Sequence, residues 1–586
     1  MDVDVLVIGA GPSGLCAAKT LLQHDENLHL LIIDAHGSVG GVWSKEQLYP
    51  TLKTNNIFST IDFSDFPMDP DRFDVKPGEH VTGEVMHEYY RAYADHFHLA
   101  HRIRFNAPVV DVSQRADGGW QVRLDGGDKI STKKLVVATG ISAQPHLPSL
   151  DGLEDFGAPF THSNDLGRET ATLTEDANVR TVAILGGSKS AYDAVHLAAS
   201  TGHDVEWIIR KSGRGPCWVV PPYTFFGPFR ALREKLVTRR FLTFISPWSL
   251  PDYSGFGWLR RLLHFTTFGQ ALSQKIWSKM HASTVRDSRF RSKEEYTVLE
   301  PEQNPFWYGT ASGIFNYDED ILAYISKGRI RIHRADISHL TDHKVHLRSE
   351  TDGGTVLHVD ALVACTGFSA QPSFTFQGAT SPSDLGVPTT SLTKTEIQFW
   401  EGVDGQADLA IGREYPRLLL GPFHSPSSRV PRQFHPGSSG AEETPYTPWR
   451  LYRGMAPPGL AASGDRSLVF LGIMNGVGNT VRMEIQALWA LAYFSDKLPL
   501  LQSDRASGRV FAETALFQRF TQLRAPYGHG RLFPDLVADQ LPYWDLLVHD
   551  LGLETRRKGG GLRELFEPYT QADYVGLVGE WLAKNT

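Results

Sequence analysis

The hexapeptide Gly9-Ala10-Gly11-Pro12-Ser13-Gly14 carries glycine at its first, third and sixth positions. That spacing suits a backbone cradle for a pyrophosphate. Gly9 permits a tight turn, Gly11 lets phosphate approach the main chain, and Gly14 allows a helix to lie close on a strand. Ala10, Pro12 and Ser13 complete the turn, and the helix it opens would present unpaired N–H groups and a positive dipole end. Asp34, twenty residues past Gly14, is of the type that accepts a hydrogen bond from a ribose hydroxyl. A second, degenerate copy reads Gly186-Gly187-Ser188-Lys189-Ser190-Ala191, with Ser188 where the middle glycine would stand. The strand expected after it ends in Ile209-Arg210-Lys211 and not in an acid. Arg210 in that place accommodates a 2′-phosphate, which favours NADPH over NADH. A glycine turn without a ligand and a solvated basic turn are the plain alternatives.

These turns need particular elements around them. Val3 to Ile8 is almost wholly apolar, as a strand covered on both faces should be. Leu15, Ala18, Leu21 and Leu22 then recur at helical spacing, and Leu28 to Ile33 reads as the next strand. Glu84 to Phe97 has a helical pattern, and Arg102 to Val137 breaks into a meander ending at Ala138-Thr139-Gly140. A second unit runs from Thr181 to Ile209, followed by a meander over Arg329 to Val359 and an ending Cys365-Thr366-Gly367. A strand over Leu468–Leu471 and a helix over Val481–Tyr493 would close the first unit. The expected fold class is α/β, with two Rossmann-like units, the second inserted in the first. Expected boundaries are 1–165 for the first part of the first unit and 166–350 for the second, NADPH-type unit. The second part of the first unit covers 351–500, and a helical extension covers 501–586. The stretches 219–300 and 372–450 are rich in Pro, Gly and aromatics and are expected to be capping insertions.

Composition narrows the classes. With 586 residues, 41% hydrophobic and 21% charged, the chain suits a globular protein of several domains. A net charge of −8 without long basic runs argues against nucleic acid as a partner. Three scattered cysteines, Cys16, Cys217 and Cys365, make neither a disulfide framework nor a metal site, so no metal is expected. Neither a secretory leader nor an apolar run of about eighteen residues is apparent, and a cytoplasmic location is expected.

Taken together, these residues resemble the flavin-containing monooxygenases, the class that includes Baeyer–Villiger enzymes and N-hydroxylases. Gly40-Gly41-Val42-Trp43 looks like the family's GGxW element, which touches FAD. Tyr49 to Pro67 is similar to its Tyr…Thr-Asn…Phe-Pro segment. There the resemblance implies that Asn55 sits near flavin and nicotinamide, flanked by Thr54 and Asn56. The family fingerprint falls on Phe156, Ala158, His162 and Leu166, keeping Phe and His and replacing a glycine and a final aromatic. The last replacement counts against carbonyl insertion. His162 is either a catalytic residue or a histidine pinning the linker. What the resemblance implies is an FAD- and NADPH-dependent monooxygenase, working through a flavin hydroperoxide on O2 and a small, apolar organic substrate such as a secondary-metabolite intermediate. A dry site and the Asn55 amide would protect the oxygenating species.

The insertion at 219–300 sets Phe225-Phe226, Trp248, Trp258, Phe265 and Phe268 among Arg230, Arg233, Arg239, Arg240, Arg260 and Arg261. It is either a substrate lid, able to rest on a membrane surface, or extra helices packed on the core. Two competing functions are a disulfide reductase-like flavoenzyme, disfavoured by the absence of C-x-x-C, and a flavin-binding protein without oxygenase activity.

Overall fold

The computed structural model describes residues 1–585 apart from 227, 303, 307–311, 349–353, 379, 417, 419–445, 526–529 and 531–532. Two parallel sheets organise it. In the first, strand Asp2–Ile8 lies between Leu30–Ile33 and Lys129–Val137, parallel to both. The nine-residue strand Lys129–Val137 divides its pairing. Its start joins Trp120–Leu124 in an antiparallel meander, and its end joins Leu468–Phe470 in parallel. Strand Leu468–Phe470 and helix Asn479–Phe494 thus return the chain to the first unit, the helix packing against Pro12–His24. Both helices are apolar around most of their circumference, because the sheet lies on one side and the C-terminal extension on the other.

The second sheet holds five parallel strands in the order Ile330–Arg334, Asp204–Ile209, Thr181–Leu185, Ala361–Ala364, Phe160–His162. The expected meander over 329–359 is therefore only partly one. Ile330–Arg334 is a parallel strand of the sheet, and the antiparallel ribbon begins at Ile337. An apolar run in a short strand cannot disclose which of these pairings it makes. Sheet pairing also assigns Phe160–His162 and Ala361–Ala364 to the second unit, so the chain crosses between units just outside them.

The insertion after Cys217 forms a hairpin, Tyr223–Phe226 with Phe229–Leu232, and helices including Glu234–Val237, Gly257–Phe265 and Thr267–Ser288. Its aromatics divide between buried and exposed positions. Trp248 is buried, while Trp258 and Phe268 are 65% and 74% exposed. Arg240 is sealed against the extension, where Nε donates to Glu564 at 3.0 Å and the guanidinium pairs with Asp545. The extension itself is helical and buries Trp544 and Trp581 against the first unit. Among the described residues no helix is long and apolar enough to cross a membrane.

Candidate active site

Gly9 has φ +112°, and a side chain on it would meet the Ala138 carbonyl at 2.5 Å. Gly186 has φ +146° and would meet the Cys365 carbonyl at 2.4 Å. The same contact therefore occurs in both units, between the first turn glycine and the end of the adjacent strand. It follows from the register, which sets Ile8 beside Val137 and Leu185 beside Ala364. Glycine is required at both places by conformation and by space.

Gly11 and Gly14 have different duties. A Cβ on Gly14 would fall 1.9 Å from the Gly9 carbonyl, so this glycine lets the helix close on the turn. At Gly11 the backbone is ordinary (φ −76°, ψ 177°), and a Cβ would meet nothing nearer than Gly41 Cα at 3.5 Å. The space there is open to a ligand. No side chain caps the helix Pro12–His24, and Pro12 at its first position forfeits no bond. The N–H groups at Ser13 and Gly14 point to the same space as the dipole. Asp34 braces the turn: its carboxylate accepts from the Ala10 N–H at 2.6 Å and the His36 N–H at 2.8 Å. A carboxylate has about four acceptor sites, so capacity for a ribose hydroxyl remains. Gly40 ties back through its N–H to the Ala10 carbonyl, which brings Val42 and Trp43 to the cleft wall.

The turn opens into a cavity of about 690 Å³ that also takes in Asp34, Trp43 and the segment Lys53–Asn56. Thr54 is buried and donates to the Asn56 carbonyl at 2.6 Å while accepting from the Val81 N–H. Asn56 donates its amide to Glu234. Asn316 clamps the segment from the second unit, donating to the Lys53 carbonyl at 3.0 Å. Asn55 is exposed in the cavity, and its side chain hydrogen-bonds to none of the described residues. Sequence reasoning missed the opposite wall: Met474, Asn475, Gly476 and the uncapped start of helix Asn479–Phe494. Its only sequence signal was an apolar helix directly after a loop of glycines and asparagines. The positive end of that helix favours negative charge on whatever lies before it.

At the second turn Ser188 is exposed at the uncapped start of helix Lys189–Ser200, with its hydroxyl 3.2 Å from that of Ser190. Ala191 is buried where helix meets strand. Lys189 is tied into the protein. Its ammonium pairs with Asp193 and donates to Asn316 Oδ1 at 3.0 Å and the Tyr317 hydroxyl at 3.1 Å. Lys189 thus braces the clamp on Lys53–Asn56. Arg210 follows strand Asp204–Ile209 and lies beside Gly213. Arg334, which the sequence did not single out, ends the adjacent strand in register with Ile209 and packs by its guanidinium on Gly215. Burial pulls the Arg334 pKa down, and its Nε has no partner among the described residues.

His162 does not line the cavity. It is buried at the end of an edge strand, its Nδ1 accepts from the Asn164 N–H at 3.1 Å, and its ring meets Phe368 edge-on. Burial holds the imidazole below its ordinary pKa. All three cysteines are buried and unbridged, and burial pushes the thiols of Cys16 and Cys217 up to about 12, against thiolate chemistry.

The cradle at Gly11, the uncapped helix and the size of the cavity fit a flavin dinucleotide, and the second turn with its two arginines fits NADPH. Comparisons with known proteins agree with this geometry. Residues 6–223 match the family described as Pyridine nucleotide-disulphide oxidoreductase. The chain is 32% identical to the FAD-dependent monooxygenase resA of Aspergillus sclerotiorum, over 99% of this chain and 98% of that one. It is 31% identical to an FAD-dependent monooxygenase of Pyrenophora dematioidea, over 96% and 100%. Among solved structures, cyclohexanone-bound cyclohexanone monooxygenase shares the fold with a TM-score of 0.56 and 15% identity, covering 94% of this chain and 97% of that one.

Proposed function

The chain belongs to the FAD-dependent monooxygenases, NADPH-consuming enzymes that act with O2 on a small organic substrate, and on that premise we propose that the cavity holding Asn55 is its active site. The substrate we propose is an apolar natural-product intermediate, and the compartment the cytosol. The observation that carries the reading is the state of Asn55. Thr54 and Asn56 on either side are tied into the protein, while the Asn55 amide faces the cavity without a protein partner among the described residues.

When bound, FAD and NADPH supply the redox chemistry, two electrons from the nicotinamide and the activation of O2. The chain's own residues bind, orient and exclude water. Ser13 and Gly14 N–H groups hold the flavin pyrophosphate, Asp34 a ribose, and Val42 and Trp43 the cavity wall. Ser188 and Ser190 hold the second pyrophosphate, with Arg210 and Arg334 taking the 2′-phosphate. Lys189 and His162 act as positioning residues, one for the Asn55 segment and one for the linker. The units we propose are 1–159 with 365–500 for FAD and 160–364 for NADPH. The Asn55 amide donates to the reacting oxygen and slows its loss as peroxide.

Asn55→Ala tests this directly. Because no protein hydrogen bond is lost, flavin content and melting temperature should stay at wild-type values. Losing one hydrogen bond to the reacting oxygen costs about 1–3 kcal/mol, so peroxide released per NADPH should rise severalfold and product should fall. An unchanged peroxide yield would remove Asn55 from the reaction. Wild-type protein that consumes no O2 with NADPH, with or without candidate substrates, would overturn the functional reading.

A further inference from the structure

A second cavity of about 420 Å³ adjoins the first and shares Asn55, Asn56, Asn475, Gly476 and Asn479 with it. Most of its other walls come from the first insertion and the C-terminal extension. Val220, Leu236 and Met280 belong to the first insertion, and Val537 and Ala538 to the C-terminal extension. The lining is mostly apolar, so each charged group in it stands out.

Most of those charges are already matched. Arg233 pairs with Asp287. Arg524 donates to Ser246 Oγ and the Phe306 carbonyl, and lies 2.9 Å from Asp539. Lys189 is spent on Asp193, Asn316 and Tyr317. Glu234 differs. One carboxyl oxygen accepts from the Asn56 amide, while the other, Oε1, is buried and has no hydrogen-bond partner among the described residues. Thr60 lies close, but its hydroxyl proton goes to the Ile57 carbonyl at 2.8 Å. Burial pushes the Glu234 carboxyl above the usual range, against the opposing pull of Thr60, the Asn56 amide and Lys235. An unpaired buried acceptor is costly unless a ligand completes it.

We propose that this second cavity is the substrate chamber and that Glu234 is its specificity-determining residue, accepting a hydrogen bond through Oε1 from an N–H or O–H on an otherwise apolar molecule. The inference rests on the proposed function for the identity of the neighbouring cavity. Asn56, beside Asn55 in the chain, then has a part in it: it holds one carboxyl oxygen and leaves the other to the ligand.

The test measures binding without turnover. Oxidised, FAD-loaded protein is titrated with 2-phenylindole and with 1-methyl-2-phenylindole, a pair that differs only in the donor. The wild type should bind the N–H compound at least about tenfold more tightly, the effect of a hydrogen bond to a charged acceptor. Glu234→Leu removes the acceptor. In Glu234→Gln the amide oxygen takes the Asn56 N–H, which leaves an NH2 facing the chamber. Both variants should keep full flavin and lose the preference. Should one of them lose flavin, the other decides together with the wild-type pair. Equal affinity for the two compounds in the wild type, binding of neither, or a preference that survives in the variants would overturn the proposal. Neither NADPH nor O2 takes part, so failure here is distinguishable from failure of the oxygenase reading, which is judged by O2 and NADPH consumption.

Discussion

Gly11 and Gly14 lie three residues apart in one motif, yet their replacement should fail in different ways. At Gly14 even one added carbon would stand 1.9 Å from the Gly9 carbonyl, a backbone atom that cannot yield. Gly14→Ala should therefore separate helix from strand and unfold the first unit. At Gly11 an added Cβ would stand 3.5 Å from Gly41 Cα, an ordinary contact, on a backbone that any residue adopts. Gly11→Val should fold, but its branches fill the space in which a pyrophosphate meets the Ser13 and Gly14 N–H groups. Two charge-assisted hydrogen bonds are then lost, each worth about 1.5–3 kcal/mol, a fall in FAD affinity of roughly two to four orders of magnitude. The assay has two parts: the ratio of flavin to protein absorbance after purification, and the melting temperature beside that of flavin-stripped wild type. Gly11→Val should be colourless and melt with the stripped protein, while Gly14→Ala should melt far below it. Full flavin in Gly11→Val would refute the assignment of this turn. A colourless but unfolded Gly11→Val would refute the claim that this glycine serves the ligand and not the fold.

Arg210→Ala should reduce the preference for NADPH over NADH about tenfold to a hundredfold, one charge-assisted bond's worth; Arg334→Ala should do the same, and unchanged ratios of kcat/KM for the two cofactors would dismiss either arginine. Glu484, buried and accepting from the Ser64 N–H and hydroxyl, has a carboxyl pushed up to about 8 by burial. The fold keeps its proton until about pH 8, whereas the unfolded chain releases it near 4.5, so its contribution is complete below 4.5 and is lost as pH rises to 8, at a slope of about 1.4 kcal/mol per pH unit. Glu484→Gln has no proton to release, so its stability relative to wild type should climb between pH 5 and 8 and level off above; parallel melting curves against pH would contradict the assignment.

What could be read in the sequence was local. The two glycine turns, their flanking strands and helices, and the paired endings at Ala138 and Cys365 all follow from residues within one strand-turn-helix unit or from a repeated pattern. The structure adds the reason for the endings, the contact each makes with the first glycine of its turn. Groups that reach the site by pairing across the chain left no such trace. Arg334 comes beside Arg210 only because strand Ile330–Arg334 joins the sheet at Ile209. Lys189 sits in the turn by sequence position, yet its ammonium follows Asn316, 127 residues on. Glu234 meets Asn56 across 178 residues. The arginines of the insertion make the same point from the side of energetics. Their place among aromatics in the sequence does not disclose which of them are buried. Arg240 is buried, and a buried guanidinium is tolerable only with its counter-charges in place. Those are Asp545 and Glu564, more than 300 residues away. Removing either partner would leave a buried charge unmatched, so this cluster ties insertion and extension to one another. Both also wall the second cavity. The shape of that chamber is therefore fixed largely by the insertion and the extension, and neither carries a recognisable motif.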